Sequence, residues 1–338
     1  MRIVITRIII YSKLLFGGVS YMKGWLFSGT NKPLELIEKE DPKAIPGQIV
    51  IDVKAAGLCH SDVAALNDPG WMPLFPNGPV ILGHEFAGVV IEVGEGVENF
   101  KVGDRVGANP MNRETKVTAG YTYDGGYADK VRVPADQCVI IPDGVSFTEG
   151  AAATDAGITS YRALFTIGQA KAGMKVGIIG VGGLGQFALQ MALIKGCEVI
   201  ATDVSPEARA LAKELGATKV YDTILDMTDE QCDLIVDFAG FGQTTADAIE
   251  AVKREGTVVI VGMGKLEATV NTYSMILKEV KFLGSTGGSV EDLQGVYDCF
   301  ATGKMNPQLI EIPFEDIDKG LEKLKNHEVK GRLVAVFE

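Results

Sequence analysis

The feature that most constrains this chain is a glycine-rich turn, Gly-Val-Gly-Gly-Leu-Gly, at residues 180–185. It follows an apolar run at 175–180 without polar alternation, which is typical of a strand buried on both faces. The residues at 183–195 that come next have the apolar spacing of a helix. A G-x-G-x-x-G turn between a strand and a helix predicts a dinucleotide-binding unit.

The glycines of this turn have separate physical roles. Gly180 permits the tight turn, Gly182 lets the backbone approach a pyrophosphate, and Gly185 lets the helix pack close to the strand. Gly183 and Leu184 complete the predicted cofactor-binding loop. The N-terminus of the following helix then offers free N–H groups and a positive dipole end to the phosphates.

Asp203 ends the next apolar run, 198–203, and lies 23 residues after Gly180 (203 − 180). A carboxylate there can accept hydrogen bonds from both ribose hydroxyls, and it would repel a 2′-phosphate. No arginine follows it directly, and Arg209 lies inside the next predicted helix. The sequence therefore predicts NAD(H) rather than NADP(H), with a glycine-rich turn and an N-capping aspartate as the alternative.

The pattern of apolar runs divides the chain into two kinds of structure. Residues 22–155 contain short apolar runs between turn signals, which predict a β-rich domain. Examples are 48–54, 88–93 and 127–133. Residues 156–286 alternate strand and helix patterns, which predict a doubly wound parallel sheet and an α/β fold class. Residues 287–338 are predicted as helix, linker, helix and strand, and we expect them to return to the first domain.

The first 21 residues carry Arg2, Arg7 and Lys13 among apolar residues. This charge interrupts a membrane span, which needs about 20 predominantly apolar residues. No A-x-A-like cleavage site of a signal peptide follows. From Met22 the sequence becomes domain-like, so we expect residues 1–21 to be a non-native or disordered extension. A real extra strand or amphipathic arm is the alternative.

The formal net charge of −12 argues against nucleic acid or an anionic membrane as the main partner. The five cysteines are widely spaced, lack a C-x-x-C pair and are odd in number, which does not fit a disulfide framework. We therefore expect a reducing, cytoplasmic compartment.

Two good zinc ligands lie in the first domain. They are Cys59, in Gly-Leu-Cys-His-Ser-Asp at 57–62, and His84, in Gly-His-Glu at 83–85. A catalytic zinc also needs a third protein ligand and an open position for water or substrate.

These residues belong to an ordered series of motifs. The others are Gly-Asp-Arg-Val at 103–106, Gly-Gly-Tyr-Ala-Asp at 125–129, the turn at 180–185 and Gly-Arg at 331–332. The series resembles the zinc-containing medium-chain alcohol dehydrogenases over residues 22–338. The resemblance implies a GroES-like catalytic domain, a Rossmann domain, and hydride transfer between NAD(H) and a small or medium alcohol, aldehyde or ketone. It also implies a homodimer or homotetramer.

The resemblance implies that Cys59 and His84 bind the catalytic zinc. Asp155 occupies the position of the family's third ligand, which is often cysteine. A Cys, His and Asp set is chemically sound, because carboxylate oxygen binds zinc. The alternative for Asp155 is a helix N-cap.

Two further acidic residues are implied to support the metal. Glu85 would sit beneath it, and Asp62 would accept a hydrogen bond from His84 and fix its tautomer. The alternatives are an ion pair with Arg105 or a turn hydrogen bond.

The resemblance also assigns roles around the substrate and cofactor. The Ser61 hydroxyl would bond the substrate oxygen and start a proton relay, although the relay's usual later histidine is replaced by Ala64. His60 and Arg332 match pyrophosphate contacts, and Thr159 matches a residue packed against the nicotinamide. The alternative for His60 and Arg332 is an ordinary surface residue.

One departure concerns the lobe at 107–124, where most zinc members carry four closely spaced cysteines. This lobe has none, so we predict one zinc per subunit and a lobe held by packing around Tyr121 and Tyr123. Trp71 and Pro110 suggest an apolar substrate pocket, together with Met72 and Leu74, although all four could be core residues.

Three other functions remain open from the sequence. A polyol or amino-alcohol dehydrogenase would share zinc and NAD but would need a hydrophilic pocket. A zinc-free relative similar to quinone reductases would generally lack the ligand set. A catalytically silent NAD-binding protein would show neither turnover nor bound zinc.

Overall fold

The structure of the protein, a computed structural model, describes residues 19–337. The strands are β1 (Tyr21–Phe27), β2 (Glu35–Glu40), β3 (Gln48–Gly57), β4 (Val80–Ile81), β5 (Phe86–Val93), β6 (Arg105–Ala108), β7 (Lys130–Pro134), β8 (Cys138–Ile140), β9 (Lys175–Ile179), β10 (Glu198–Thr202), β11 (Lys219–Tyr221), β12 (Leu234–Asp237), β13 (Thr257–Ile260), β14 (Lys281–Gly284), β15 (Leu309–Pro313) and β16 (Arg332–Val336). The α-helices are α1 (His60–Asn67), α2 (Phe147–Ala152), α3 (Ile158–Tyr161), α4 (Gly185–Ile194), α5 (Pro206–Glu214), α6 (Gln243–Ala251), α7 (Thr272–Lys278), α8 (Val290–Ala301) and α9 (Ile317–Lys325).

The second half of the chain contains a six-stranded parallel sheet in the order β11-β10-β9-β12-β13-β14. Numbered along the chain, this order is 3-2-1-4-5-6, which is the doubly wound arrangement. Its central strands are buried on both faces, as the adjacent residues Ile178 and Ile179 of β9 and Ile235 and Val236 of β12 show. The predicted parallel sheet is confirmed, and ligands of such sheets bind beyond the carboxyl ends of the strands, where the order reverses.

The first half contains a second sheet, β15-β16-β3-β5-β6-β8, with β7 also paired to β3. Strands β15 and β16 come from the end of the chain, which therefore shares this sheet with strands of the first half. The sequence indicated a linker where β15 lies. Its burial pattern explains the error, because this edge strand is mostly exposed and has no clear apolar alternation.

The predicted strand at 127–133 begins later, at Lys130. The residues before it pair with β1 instead, where the N–H of Trp25 donates to the carbonyl of Tyr127 at 2.9 Å and Gly24 bridges Ala128. This segment therefore changes partner strands just before β7.

One continuous helical run occupies residues 147–167, in which α2 and α3 alternate with π-helical turns at Ala153–Gly157 and Arg162–Ile167. The run begins at Ser146, whose hydroxyl accepts from the N–H of Glu149. Asp155 lies inside the first π-helical turn, so its alternative interpretation as an N-cap is wrong. Single π turns inside helices are frequent at functional sites.

The N-terminal prediction is only partly within the described residues. Tyr21 already lies in β1, opposite Glu40, so the predicted extension at 1–21 reaches too far. Residues 1–18 lie outside the described part. Between residues 19 and 337, no helix has the length and apolar character needed to cross a membrane.

Candidate metal and dinucleotide site

The glycine-rich turn has the backbone geometry that only glycine tolerates. Gly180 has φ +85°, and a Cβ added at Gly185 would lie 1.8 Å from the carbonyl oxygen of Gly180. A Cβ added at Gly182 would meet no atom within 4 Å, so this face of the loop is open. The sequence predicted a helix from residue 183, but α4 begins at Gly185, so Gly183 and Leu184 lie before the helix. The open face is a cradle of the kind that a dinucleotide pyrophosphate occupies.

Asp203 lies next to this turn and is tied to it. Its carboxylate accepts from the N–H groups of Val181 and Ser205, each at 2.8 Å. The guanidinium of Arg209 folds back and donates to the carbonyls of Asp203 and Val204 at 2.8 and 2.9 Å. Nη1 of Arg209 is therefore engaged with the backbone at the end of β10.

The three predicted zinc ligands converge in space. One ligand atom each of Cys59, His84 and Asp155 lies within 4.8 Å of the others. Ligand atoms around a tetrahedral zinc stand roughly 3.5 Å apart, as bond lengths of about 2.0–2.3 Å require. His84 is buried while Cys59 and Asp155 are half-buried, which leaves one side of the cluster open. A thiol, an imidazole and a carboxylate with an open side fit a catalytic zinc site.

The Asp62 carboxylate lies beside the imidazole of His84. Its Oδ1 lies 3.3 Å from Nδ1 of His84, and its Oδ2 accepts from the Tyr127 hydroxyl at 2.8 Å and the Cys59 N–H at 3.1 Å. The other ring nitrogen, Nε2, therefore faces Asp155, whose Oδ2 is 3.5 Å away. This is the orientation that the predicted role of Asp62 requires.

Glu85 pairs with Arg332 and not with Arg105. Nε of Arg332 donates to both carboxylate oxygens of Glu85, at 2.7 and 2.9 Å, and its Nη2 also bonds Glu85. Glu85 is 0% exposed and Arg332 is 4% exposed, so the alternative of an ordinary surface arginine is wrong. Arg105 instead donates to the carbonyl of Val145.

Arg332 also reaches the other two parts of the site. Its Nη2 donates to Oδ2 of Asp155 at 2.8 Å. A Cβ added at Gly183 would lie 3.4 Å from Nη1, so this nitrogen faces the glycine-rich loop. Arg332 therefore stands between the metal cluster and the predicted pyrophosphate position.

Burial and neighbouring charges shift several pKa values here. Burial raises the pKa of Glu85 to about 7, although the charge of Arg332 opposes the rise. Burial also disfavours the ionised form of Asp155, but hydrogen bonding and the charges of His84 and Arg332 outweigh it and hold the pKa below its usual range. For His60, partial burial and the charge of Arg332 lower the pKa. Asp155 is thus available as an anionic ligand.

The remaining predicted residues lie around this cluster. Ser61 Oγ is 3.4 Å from Nε2 of His84, and Thr159, which is buried, has its hydroxyl 3.4 Å from Oδ1 of Asp155. The His60 ring stacks on His327 at 6.2 Å. Ser61 and Thr159 therefore face the metal cluster directly, whereas the observed ring partner of His60 is His327.

The lobe and the predicted pocket residues are less closely tied to the cluster. Tyr121 is buried, and its ring lies 5.0 Å from Phe75 and 5.5 Å from His84. Trp71 packs against the same apolar core, and the Pro110 carbonyl accepts from the N–H of Ala119. The expected packing around Tyr121 is present, and its aromatic ring covers one side of the imidazole.

Two residues that sequence reasoning missed belong to this site. Tyr127 supports Asp62 through its hydroxyl, and Gly57 leaves the space that Glu85 occupies, because a Cβ there would lie 2.1 Å from the Glu85 carboxyl carbon. Both lie inside motifs that had already been singled out, 57–62 and 125–129, but nothing local indicated their partners.

Comparison with known proteins places these features in a family. The family model described as "Alcohol dehydrogenase GroES-like domain" matches residues 45–143, and the one described as "Zinc-binding dehydrogenase" matches residues 183–302. An alcohol dehydrogenase of Geobacillus stearothermophilus is 34% identical, with 93% of this chain and 98% of that protein covered.

Two solved structures are similar over nearly the whole chain. Acetophenone reductase from Geotrichum candidum in complex with NAD has a TM-score of 0.84 and 31% identity, covering 94% of this chain and 97% of that one. The alcohol dehydrogenase of Aeropyrum pernix has a TM-score of 0.84 and 30% identity, covering 93% and 100%.

Proposed function

The chain belongs to the zinc-containing medium-chain alcohol dehydrogenase family, and we propose that Cys59, His84 and Asp155 hold its catalytic zinc. It is an NAD-dependent oxidoreductase of the alcohol dehydrogenase and carbonyl reductase type. The observation that carries the site assignment is the convergence of a thiol, an imidazole and a carboxylate beside the glycine-rich turn.

Residues around the proposed zinc site have separate roles in substrate binding and proton transfer. When bound, zinc supplies Lewis acidity toward the substrate oxygen, and the nicotinamide carries the hydride. The Ser61 hydroxyl lies 3.4 Å from Nε2 of His84, the nitrogen that would bind the metal. It is therefore placed to hydrogen-bond the substrate oxygen and to accept its proton. Since residue 64 is alanine, the proton would have to leave Ser61 through ribose hydroxyls, water or another group. Asp62 and Tyr127 keep His84 in the ligating orientation.

The cofactor would lie along the glycine-rich turn. The N–H groups at the start of α4 would face the pyrophosphate, Nη1 of Arg332 would supply a positive charge, and Asp203 would accept from the ribose hydroxyls. Thr159 would pack against the nicotinamide, and His60 would contact the pyrophosphate.

We further propose the finer points of organisation. The catalytic domain comprises 22–155, completed by 287–338, and the Rossmann domain comprises 156–286; the two sheets support this division. One zinc per subunit is supported by the cysteine-free lobe at 107–124. The negative net charge supports a cytoplasmic protein without nucleic-acid or membrane partners.

An activity panel tests the substrate class. We expect NADH-linked turnover of small or medium primary or secondary alcohols and of the matching carbonyls, because the aromatic ring of Tyr121 flanks His84 of the cluster. Turnover with NAD(H) should exceed turnover with NADP(H). Asp203→Ala should lower this ratio of NAD(H) to NADP(H) turnover, and the nearby control Glu207→Gln should leave the ratio unchanged. If polyols are the best substrates, the protein is a polyol dehydrogenase with a hydrophilic pocket. If no substrate in the panel is turned over, the protein is a catalytically silent NAD-binding protein.

We propose that two copies of the chain associate through the β14 edge of the Rossmann sheet. Strand β14 and helix α7 expose a group of large apolar side chains, namely Tyr273, Ile276, Leu277, Phe282 and Leu283. An exposed apolar edge strand is a template for pairing with another chain. Pairing with a second copy would continue the parallel sheet of each subunit across the interface.

Sedimentation equilibrium tests this interface. We expect a dimer or tetramer for the wild type and a smaller species for Ile276→Glu. Val102→Glu, at another apolar position that is 63% exposed, should leave the mass unchanged. A wild-type monomer, or an Ile276→Glu variant of unaltered mass, would contradict the interface.

A further inference from the structure

Helix α4, which follows the glycine-rich turn, carries two buried glutamines on its packed face. Gln186 is 0% exposed and Gln190 is 4% exposed. Burying an amide is costly unless it is hydrogen-bonded, so the partners of these two side chains identify what they do.

Both side chains bind the backbone of the other domain. Gln186 Oε1 accepts from the N–H of Gln308 at 2.6 Å, and its Nε2 donates to the carbonyl of Gln308 at 3.4 Å. Gln190 Oε1 accepts from the N–H of Asn306 at 2.6 Å. The amide of Gln186 thus engages Gln308 at both ends, as a neighbouring strand would, just before β15 begins.

Gln308 in turn fixes the start of β16. Its carbonyl also accepts from the backbone N–H of Arg332 at 3.0 Å. Gly331 comes so close that an added Cβ would lie 2.4 Å from that same oxygen, and its φ is +95°. The carbonyl oxygen of Gln308 therefore connects helix α4 to the backbone of Arg332.

The contacts form a closed circuit. From Gly183 the chain runs three residues to Gln186, crosses to Gln308 and then to Arg332, whose Nη1 faces Gly183 again. The circuit sets the distance between the loop that would hold the pyrophosphate and the guanidinium that would bind it. Helix packing alone does not set this distance, because Arg332 belongs to the sheet of the other domain.

We propose that Gln186 is a positioning residue for the cofactor, acting through Gln308 and Arg332, with Gln190 supporting the same segment. The proposal rests on the proposed function, since it concerns NAD(H) bound at that loop. Removing the amide frees Gln308 and allows Arg332 to move relative to the loop. The expected effect is weaker binding of the cofactor, in addition to any general loss of folding stability.

The test uses zinc-loaded full-length protein and measures the Kd of NADH by fluorescence, the unfolding midpoint and the zinc content. Gln186→Leu should raise the Kd of NADH about tenfold, because a displaced charge-assisted contact is worth more than about 1.4 kcal/mol. Gln186→Glu keeps the acceptor for the Gln308 N–H and should give an intermediate Kd. Leu189→Ala, a cavity variant in the same helix, should lower the unfolding midpoint and leave the Kd within about twofold of the wild type.

The double variant with Arg332→Lys tests the route. If Gln186 acts through Arg332, Gln186→Leu should add little in that background, because effects along one chain of contacts are not additive. The proposal is overturned if Gln186→Leu leaves the Kd of NADH unchanged or if Leu189→Ala raises this Kd equally. It is also overturned if the effects of Gln186→Leu and Arg332→Lys on the free energy of NADH binding are additive. Failure of the wild type to bind NADH would instead overturn the proposed function and this inference with it.

Discussion

Replacing Arg332 with alanine should lower the free energy of unfolding by about 3–5 kcal/mol, the cost of removing one partner of a buried ion pair. The Glu85 carboxylate is fully buried, and three of its hydrogen bonds come from this one guanidinium. Asp155 would lose a partner at the same time. NADH affinity should fall as well, because Nη1 faces Gly183. Urea unfolding and NADH titration measure the two effects.

The control for this prediction is the double variant Arg332→Ala with Glu85→Gln. A neutral amide at residue 85 no longer needs a positive partner, so we expect part of the lost stability to return. NADH affinity should stay low in the double variant, because the arginine is still absent. A single Arg332→Ala variant within about 1 kcal/mol of the wild type would show that the buried pair contributes little.

Replacing Asp155 with alanine should remove the zinc and reduce turnover by about a thousandfold or more. The expectation follows from its place opposite Nε2 of His84 and from the several kcal/mol that Lewis-acid activation supplies, at about 1.4 kcal/mol for each tenfold in rate. Two protein ligands without the carboxylate leave a weak site.

The matched variant is Asp155→Cys. It also loses the contact with Arg332, but it restores a zinc-binding atom at the same position, so we expect zinc and much of the turnover to remain. Measuring zinc by plasma mass spectrometry in both variants therefore separates ligation from ion pairing. Equal zinc in the wild type and Asp155→Ala would show that the carboxylate is not a ligand.

Local patterns predicted the parts of the protein whose physics is local. The glycine-rich turn and the parallel sheet were predicted because glycine spacing and continuous apolar runs are properties of short segments. Cys59 and His84 were recognisable as candidate zinc ligands from their chemistry and their motifs. Strand β15 was missed because it is an exposed edge with little apolar pattern.

Contacts between distant segments could not be predicted from such patterns. Arg332 and Glu85 are 247 residues apart, and Tyr127 lies 65 residues from Asp62. No periodicity links such pairs, so the pairing of Glu85 with Arg332 was missed: the alternatives drawn from the sequence were Arg105 as a partner for Glu85 and a surface position for Arg332. Asp155 was proposed as a ligand only through family resemblance, because an aspartate in a helical segment has no local mark of metal binding.

The central claim is that turnover depends on a single zinc held by Cys59, His84 and Asp155. The most direct measurement is zinc per chain and NADH-linked turnover in one wild-type preparation, before chelation, after it, and after zinc is restored. We expect one zinc per chain, loss of turnover with the metal, and recovery of both. Full turnover after complete removal of zinc would contradict the account.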